Sequence, residues 1–302
     1  MTSKPIYSTA PAKGWLPWGA FAPFLCVLFN AATVLGISPL MEYFHFQDAM
    51  GEPIGLTGLY AFLLIPFALL GLTIVVWVRV VERRAMATIG LVGSGGPRRF
   101  LGGLLVGAAT LFVVVAAIWI AGGFQADGFG RALGSPRALA GIGILLACFA
   151  VQASVEEIVF RGWLLSLIVR KFNVPVAVLL TSLAFTFLHY SPHQHWLIVM
   201  SSFLFSAFAC VWALKADNIW GVMGWHTGWN WLLATGFELP VTGIKVDLPA
   251  LLVRLTVHGP DTLTGGARGP EGSFLCSAFF VVAIAFLLLR PKAVKATVES
   301  DS

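Results

Sequence analysis

Three clusters of polar side chains interrupt an otherwise apolar sequence, and their residue types are those that carry proton-transfer chemistry. They are Ser154-Val-Glu156-Glu157-Ile-Val-Phe160-Arg161, Phe185-Thr-Phe-Leu-His189 and His226-Thr-Gly-Trp-Asn230. Carboxylates and imidazoles can take up and release protons, and a histidine with an amide presents hydrogen-bond donors. At about 100° per helical residue, Glu157 and Arg161 share a face, in the favourable order for an acid and base pair. Glu156 then points roughly 100° from its neighbour and roughly 140° from Arg161, free to face a cavity and without an evident partner on its own helix. His226 and Asn230 present a pair of donors on one side of theirs.

The rest of the chain dictates the setting of these groups. Of 302 residues, 58% are hydrophobic and 11% charged, and the mean hydropathy is +0.87; soluble domains carry about 25% charged residues. That composition excludes an ordinary soluble enzyme and a disordered chain, and predicts an all-α protein crossing a membrane several times. The net charge of +5 follows from Lys and Arg in connecting loops, so lipid and no nucleic acid is the expected surrounding. Cys26, Cys148, Cys210 and Cys276 lie inside apolar runs without CxxC spacing, and read as buried small hydrophobes.

Crossing a bilayer takes about 20 mainly apolar residues, and eight runs qualify: roughly 18–38, 56–79, 101–122, 138–160, 174–190, 194–214, 217–237 and 273–290. The first follows Lys4 and Lys13 without a convincing cleavage site and reads as a retained helix. Residues 1–302 thus form a single polytopic membrane domain, with a polar core at 138–237, a long loop at 238–272 and a last helix at 273–290. The fourth run stays apolar past residue 160, so its helix extends beyond the membrane or turns along its surface until Asn173-Val-Pro175 breaks it. Within the loop, a short interfacial helix is expected around 248–257.

Lys and Arg bias gives an orientation. Arg79, Arg83, Arg84, Arg98 and Arg99 crowd the second connection, Arg170 and Lys171 follow run four, Lys215 follows run six, and Arg290, Lys292 and Lys295 end the chain. These positions predict a cytoplasmic face holding both termini. The first connection, with Glu42, Asp48 and Glu52, reads as an outside loop, while Arg131 and Arg137 in the third run against the trend.

Ionisable groups inside membrane helices cost about 2.5 to 3.5 kcal/mol each on insertion scales and mark functional sites by default. Counted from Asn173, Glu156 lies about 17 residues back and His189 about 16 forward, so two antiparallel helices hold them at one level. His226 lies well inside run seven. A buried polar site is therefore expected between helices four, five and seven.

At these residues the sequence resembles the CPBP family of intramembrane proteases, which includes the eukaryotic CAAX prenyl proteases and many bacterial relatives. The family signature EExxxR, FxxxH and HxxxN or HxxxD is met in order by Glu156-Glu157 to Arg161, Phe185 to His189, and His226 to Asn230. Gly269-Pro-Glu-Gly272 also resembles a segment of bacterial members. The resemblance implies a glutamate-type endopeptidase acting on a membrane-associated protein or peptide. In it Glu156 and His189 activate water, His226 and Asn230 form the oxyanion hole, Arg161 neutralises Glu157, and Phe185 supports. It also implies a multi-pass protein of a bacterial cytoplasmic membrane.

Glu156, His189 and His226 could alternatively make a three-ligand zinc site; no HExxH anchors that reading, and the expected mechanism needs no cofactor. The alternative function is a non-catalytic scaffold or a proton-coupled transporter, since intramembrane carboxylates and histidines also build proton relays. A transporter often shows internal repeats, and none is visible here. His193 and His195 read as interfacial loop residues, and His45 and His258 as surface residues.

Overall fold

The computed structural model describes residues 6–8, 10–192 and 194–290. Lys4, His193, Lys292 and Lys295 lie outside the described residues. Each apolar run falls on a helix: α1 (Ala22–Tyr43), α2 (Gly55–Val76), α3 (Gly96–Ile120), α4 (Pro136–Glu157) continuing as α5 (Leu165–Lys171), α6 (Val174–Leu188), α7 (Trp196–Ala216) and α8 (Trp220–Gly236). A one-turn helix α9 (Asp261–Thr264) precedes α10 (Phe274–Leu289). Among the described residues, five helices are long and apolar enough to cross a membrane: Ala22–Tyr43, Gly55–Val81, Gly96–Ile120, Pro136–Lys171 and Trp196–Ala216. α6 and α10 are shorter apolar helices, and α8 is buried along most of its length.

The fourth run is one rod from Pro136 to Lys171. The Ser135 hydroxyl accepts from Ala138 N at 3.2 Å to start it. Between α4 and α5 the rod widens into a π-helix, Ile158–Leu164, placed directly after the two glutamates; such wide turns concentrate at functional sites. Beyond Lys171, Asn173 caps α6 by accepting from Val176 N at 3.0 Å, with Pro175 in the first turn.

The expected helical membrane fold holds, and two expectations of detail are corrected. One short ribbon joins the helices: β1 (Phe124–Phe129) pairs antiparallel with β2 (Val253–Val257). The expected helix at 248–257 is thereby replaced by a strand over its second half. The β-branched Val253, Thr256 and Val257 favour the pleated surface that β1 offers. Arg84 is also no solvated loop charge. It is 2% exposed, with its Nε 2.6 Å from Glu82 Oε2 and its NH1 donating to Ser166 at 3.1 Å. Trp77 and Trp163 donate to the other Glu82 oxygen at 3.0 and 2.8 Å. A buried ion pair so enclosed needs those extra donors to offset its desolvation.

Helix α8, which carries His226 and Asn230, is fixed by its contact with α3. Gly103 and Gly107 on α3 meet the backbone of Gly221 and Trp225, while Gly224 and Gly228 on α8 meet that of Phe100 and Leu104. A Cβ at any of the four would lie inside van der Waals contact with a carbonyl; this is the small-residue interlock that lets membrane helices approach closely. Gly224→Val is accordingly expected to cost about 3 kcal/mol or more as overpacking, read as loss of folded protein from the membrane fraction; normal abundance would contradict this packing.

Backbone contacts sort the connections onto two faces. On one, Lys13 N bonds Arg83 O (3.4 Å), Ile219 N bonds Gly90 O (3.1 Å), and Lys215 Nζ bonds Arg290 O (2.7 Å); this is the basic face. On the opposite loop face, Gly130 N bonds Leu252 O at 2.8 Å and Gly243 N bonds Arg268 O at 3.1 Å. The 238–272 segment is folded against the helices there. All four cysteines are free and buried.

Candidate active site

The three sequence clusters converge, on α4, at the end of α6 and on α8. Glu156 is 6% exposed, Glu157 and Arg161 0%, His226 4% and Asn230 6%. Apolar helices have no reason to bury five such groups except around one another, because each isolated charge would cost several kcal/mol.

Glu157 is the hub of the inner layer. Its Oε1 accepts from Arg161 NH1 at 3.0 Å and lies 2.8 Å from His226 Nδ1. An ionised carboxylate only accepts, so Nδ1 carries the hydrogen and Nε2 is turned outward. The Arg161 guanidinium lies 4.7 Å from the centroid of Phe185 and 5.9 Å from that of Phe205, a cation–π setting that suits its planar charge. The Tyr7 hydroxyl donates to the Arg161 carbonyl at 2.7 Å, within the π-helix. Burial pushes the Tyr7 phenol up, so it remains a donor.

Glu156 faces the other way. Its Oε1 accepts from Gln152 Nε2 at 2.7 Å and lies 3.9 Å from His189 Nε2. Its Oε2 is buried, has no hydrogen-bond partner, and lies 3.9 Å from His226 Nε2. The expectation that Glu156 lacks a partner on its own helix is thus corrected: Gln152, one turn earlier, holds one of its oxygens. Gln152 also accepts from Asn230 Nδ2 at 3.1 Å, linking α4 to α8. Sequence reading missed Gln152, although a buried amide four residues before a membrane glutamate was the available signal.

His189 caps α6, and its Nδ1 lies 2.8 Å from the Phe185 carbonyl. A carbonyl accepts only, so in the neutral ring Nε2 carries the lone pair that faces Glu156. The ring stacks on Phe185 at 4.1 Å and 22°. Phe185 therefore packs between His189 and Arg161.

Three cavities meet at Glu156 and His189. One of about 70 Å³ also holds Gln152, His226 and Asn230, with Arg268 and Glu271 of the 238–272 segment on its wall. One of about 250 Å³ is apolar, lined by Val34, Phe62, Phe67 and Leu70. The third, about 190 Å³, is lined by Phe149, Val241 and Ile244 among others. Glu271 fastens the segment over the site, accepting from Trp229 Nε1 (3.1 Å), Thr242 N (2.9 Å) and Thr242 Oγ1 (3.0 Å).

Among the described residues, no group of three His, Cys, Asp or Glu is arranged to hold a metal ion. The zinc alternative on Glu156, His189 and His226 gains no support: Gln152 donates to one Glu156 oxygen, and Nδ1 of His226 faces Glu157. His195 caps α7, its Nδ1 accepting from Leu197 N at 3.2 Å. It is exposed, as are His45 and His258.

Residues 138–232, about a third of the chain, match a protein-family model described as type II CAAX prenyl endopeptidase, Rce1-like. All three polar clusters lie within the match, so the resemblance to CAAX-type proteases holds and the enzyme class is that of a protease. The scaffold or transporter alternative gains nothing from it. No curated protein and no solved structure matches the chain.

Proposed function

We propose that this chain, whose residues 138–232 carry a Rce1-like domain of the type II CAAX prenyl endopeptidase family, is an intramembrane endopeptidase that cuts a membrane-associated protein or peptide with a water activated by Glu156 and His189. The observation that carries the reading is the unpartnered, buried Glu156 Oε2, set 3.9 Å from one imidazole nitrogen while its partner oxygen is 3.9 Å from another. Gaps of that length are too long for a direct bond and suit one bridging water.

The step balances as follows. Glu156 takes a proton from the water, whose oxygen attacks the peptide carbonyl carbon. The carbonyl oxygen gains the negative charge and is met by the second Nδ2 hydrogen of Asn230 and by His226 Nε2. Because Nδ1 of His226 is committed to Glu157, Nε2 is the nitrogen left to face the oxyanion, and it donates when the ring carries both hydrogens. As the C–N bond breaks, the proton held by Glu156 passes to the leaving amine, directly or through His189, and Glu156 is regenerated.

The apolar cavity beside Glu156 suits the hydrophobic part of a membrane-borne substrate. The setting is a multi-pass protein of a bacterial cytoplasmic membrane. The test is hydrolysis by the purified chain of a peptide mixture extracted from membranes. New termini should form, and Asn230→Ala should slow their formation about 10²- to 10³-fold, as loss of an oxyanion donor does elsewhere. An unchanged rate in Asn230→Ala would remove Asn230 from the oxyanion role.

A further inference from the structure

We propose that the site is fed from the loop face, that this face is extracytoplasmic, and that the substrates are therefore polypeptide segments exposed on the far side of the membrane. The inference deepens the proteolytic reading and rests on it.

The route is visible in the cavities. An open vestibule of about 300 Å³ lies between the α6–α7 connection and the α9 region, lined by His195, Ile198, Asp261, Ala267, Arg268 and Gly272. Ile198, Arg268 and Gly272 also line the cavity holding Glu156, His226 and Asn230. Arg268 stands at the neck, its NH1 donating to the Thr242 carbonyl at 3.2 Å. A peptide strand passing this neck reaches Glu156 without crossing lipid.

From the opposite side the way is filled. Tyr7, Ile89, Trp163 and Ile219 are all buried. Gly162 packs against the Ile89 carbonyl and Ile219, and Tyr7 seals the Arg161 carbonyl. This layer lies between the inner Glu157–Arg161 pair and the basic face.

Charge fixes which face is which. Among the described residues, the loop face carries Arg131, Arg137, Lys245, Arg254 and Arg268, and the basic face about twice as many Lys and Arg. The orientation rule counts Lys and Arg, and by that count it puts the vestibule outside.

The experiment labels engineered thiols in intact cells with membrane-impermeant reagents, since the four native cysteines are buried. Ala267→Cys, on the vestibule rim, should label in intact cells, and Ala85→Cys, exposed on the basic face, only after permeabilisation. Ser202→Cys, on the wall of the catalytic cavity, should react with a small charged methanethiosulfonate added outside, and lose that labelling when Ala267→Trp plugs the vestibule. The reverse pattern at Ala267 and Ala85 would overturn the orientation. Undiminished Ser202→Cys labelling behind Ala267→Trp would overturn the route. No substrate is needed, so failure here is distinct from failure of the hydrolytic reading, which Glu156-dependent cleavage tests separately.

Discussion

Glu156→Gln is expected to abolish peptide cleavage while the protein remains folded and inserted. The substitution keeps shape and keeps an oxygen for the Gln152 amide to donate to at 2.7 Å, but it removes the group that takes the water's proton. General bases contribute about 10²- to 10⁴-fold, so residual cleavage should fall by at least that range. Stability should not fall, because the change exchanges a buried carboxylate with one unsatisfied oxygen for a neutral amide. The check is the cleavage rate set against abundance and thermal unfolding of the two proteins in parallel. Retained cleavage would remove Glu156 from the reaction; lost abundance would give it a structural role instead.

Arg161→Leu is expected to have the largest effect on stability. It strands Glu157, whose charge has no access to water, and it removes the guanidinium that lies against Phe185 and Phe205. Breaking one side of a buried pair costs about 3 to 5 kcal/mol, enough to deplete a protein of ordinary stability from the membrane. The double change Glu157→Gln with Arg161→Leu removes both charges and should recover much of the abundance. Activity should not return with it, since His226 then loses the carboxylate that fixes its Nδ1 at 2.8 Å. Full yield of Arg161→Leu alone, or full activity of the double variant, would contradict the role given to this pair.

The parts of the site that the sequence announced are those written in local helical spacing. Glu157 with Arg161 and Phe185 with His189 are each four apart, and the helix places them in contact at that interval. The interlock of α3 with α8 is equally local in form, four residues between Gly103 and Gly107 and between Gly224 and Gly228. It went unread because small residues also occur for other reasons, and only the facing backbone shows their use. Other features depend on chain segments far apart. The strand at Val253–Val257 exists because Phe124–Phe129 lies beside it, and no periodicity near residue 253 states that partner. Arg84 is buried because Trp163 and Ser166 come round to enclose it with Glu82; a charged stretch after an apolar run otherwise reads as a solvated loop. Nor does anything in the local residue types announce the π-helix after Glu157.

The central claim is that Glu156 drives proteolysis of a membrane-associated substrate. Its most direct test compares the protein termini of membrane and secreted fractions, by mass spectrometry, between cells carrying the native chain and cells carrying Glu156→Gln at equal abundance. The account predicts at least one terminus present with the native chain and missing with the variant, on a polypeptide exposed beyond the membrane. Identical sets of termini from the two cell populations would contradict it.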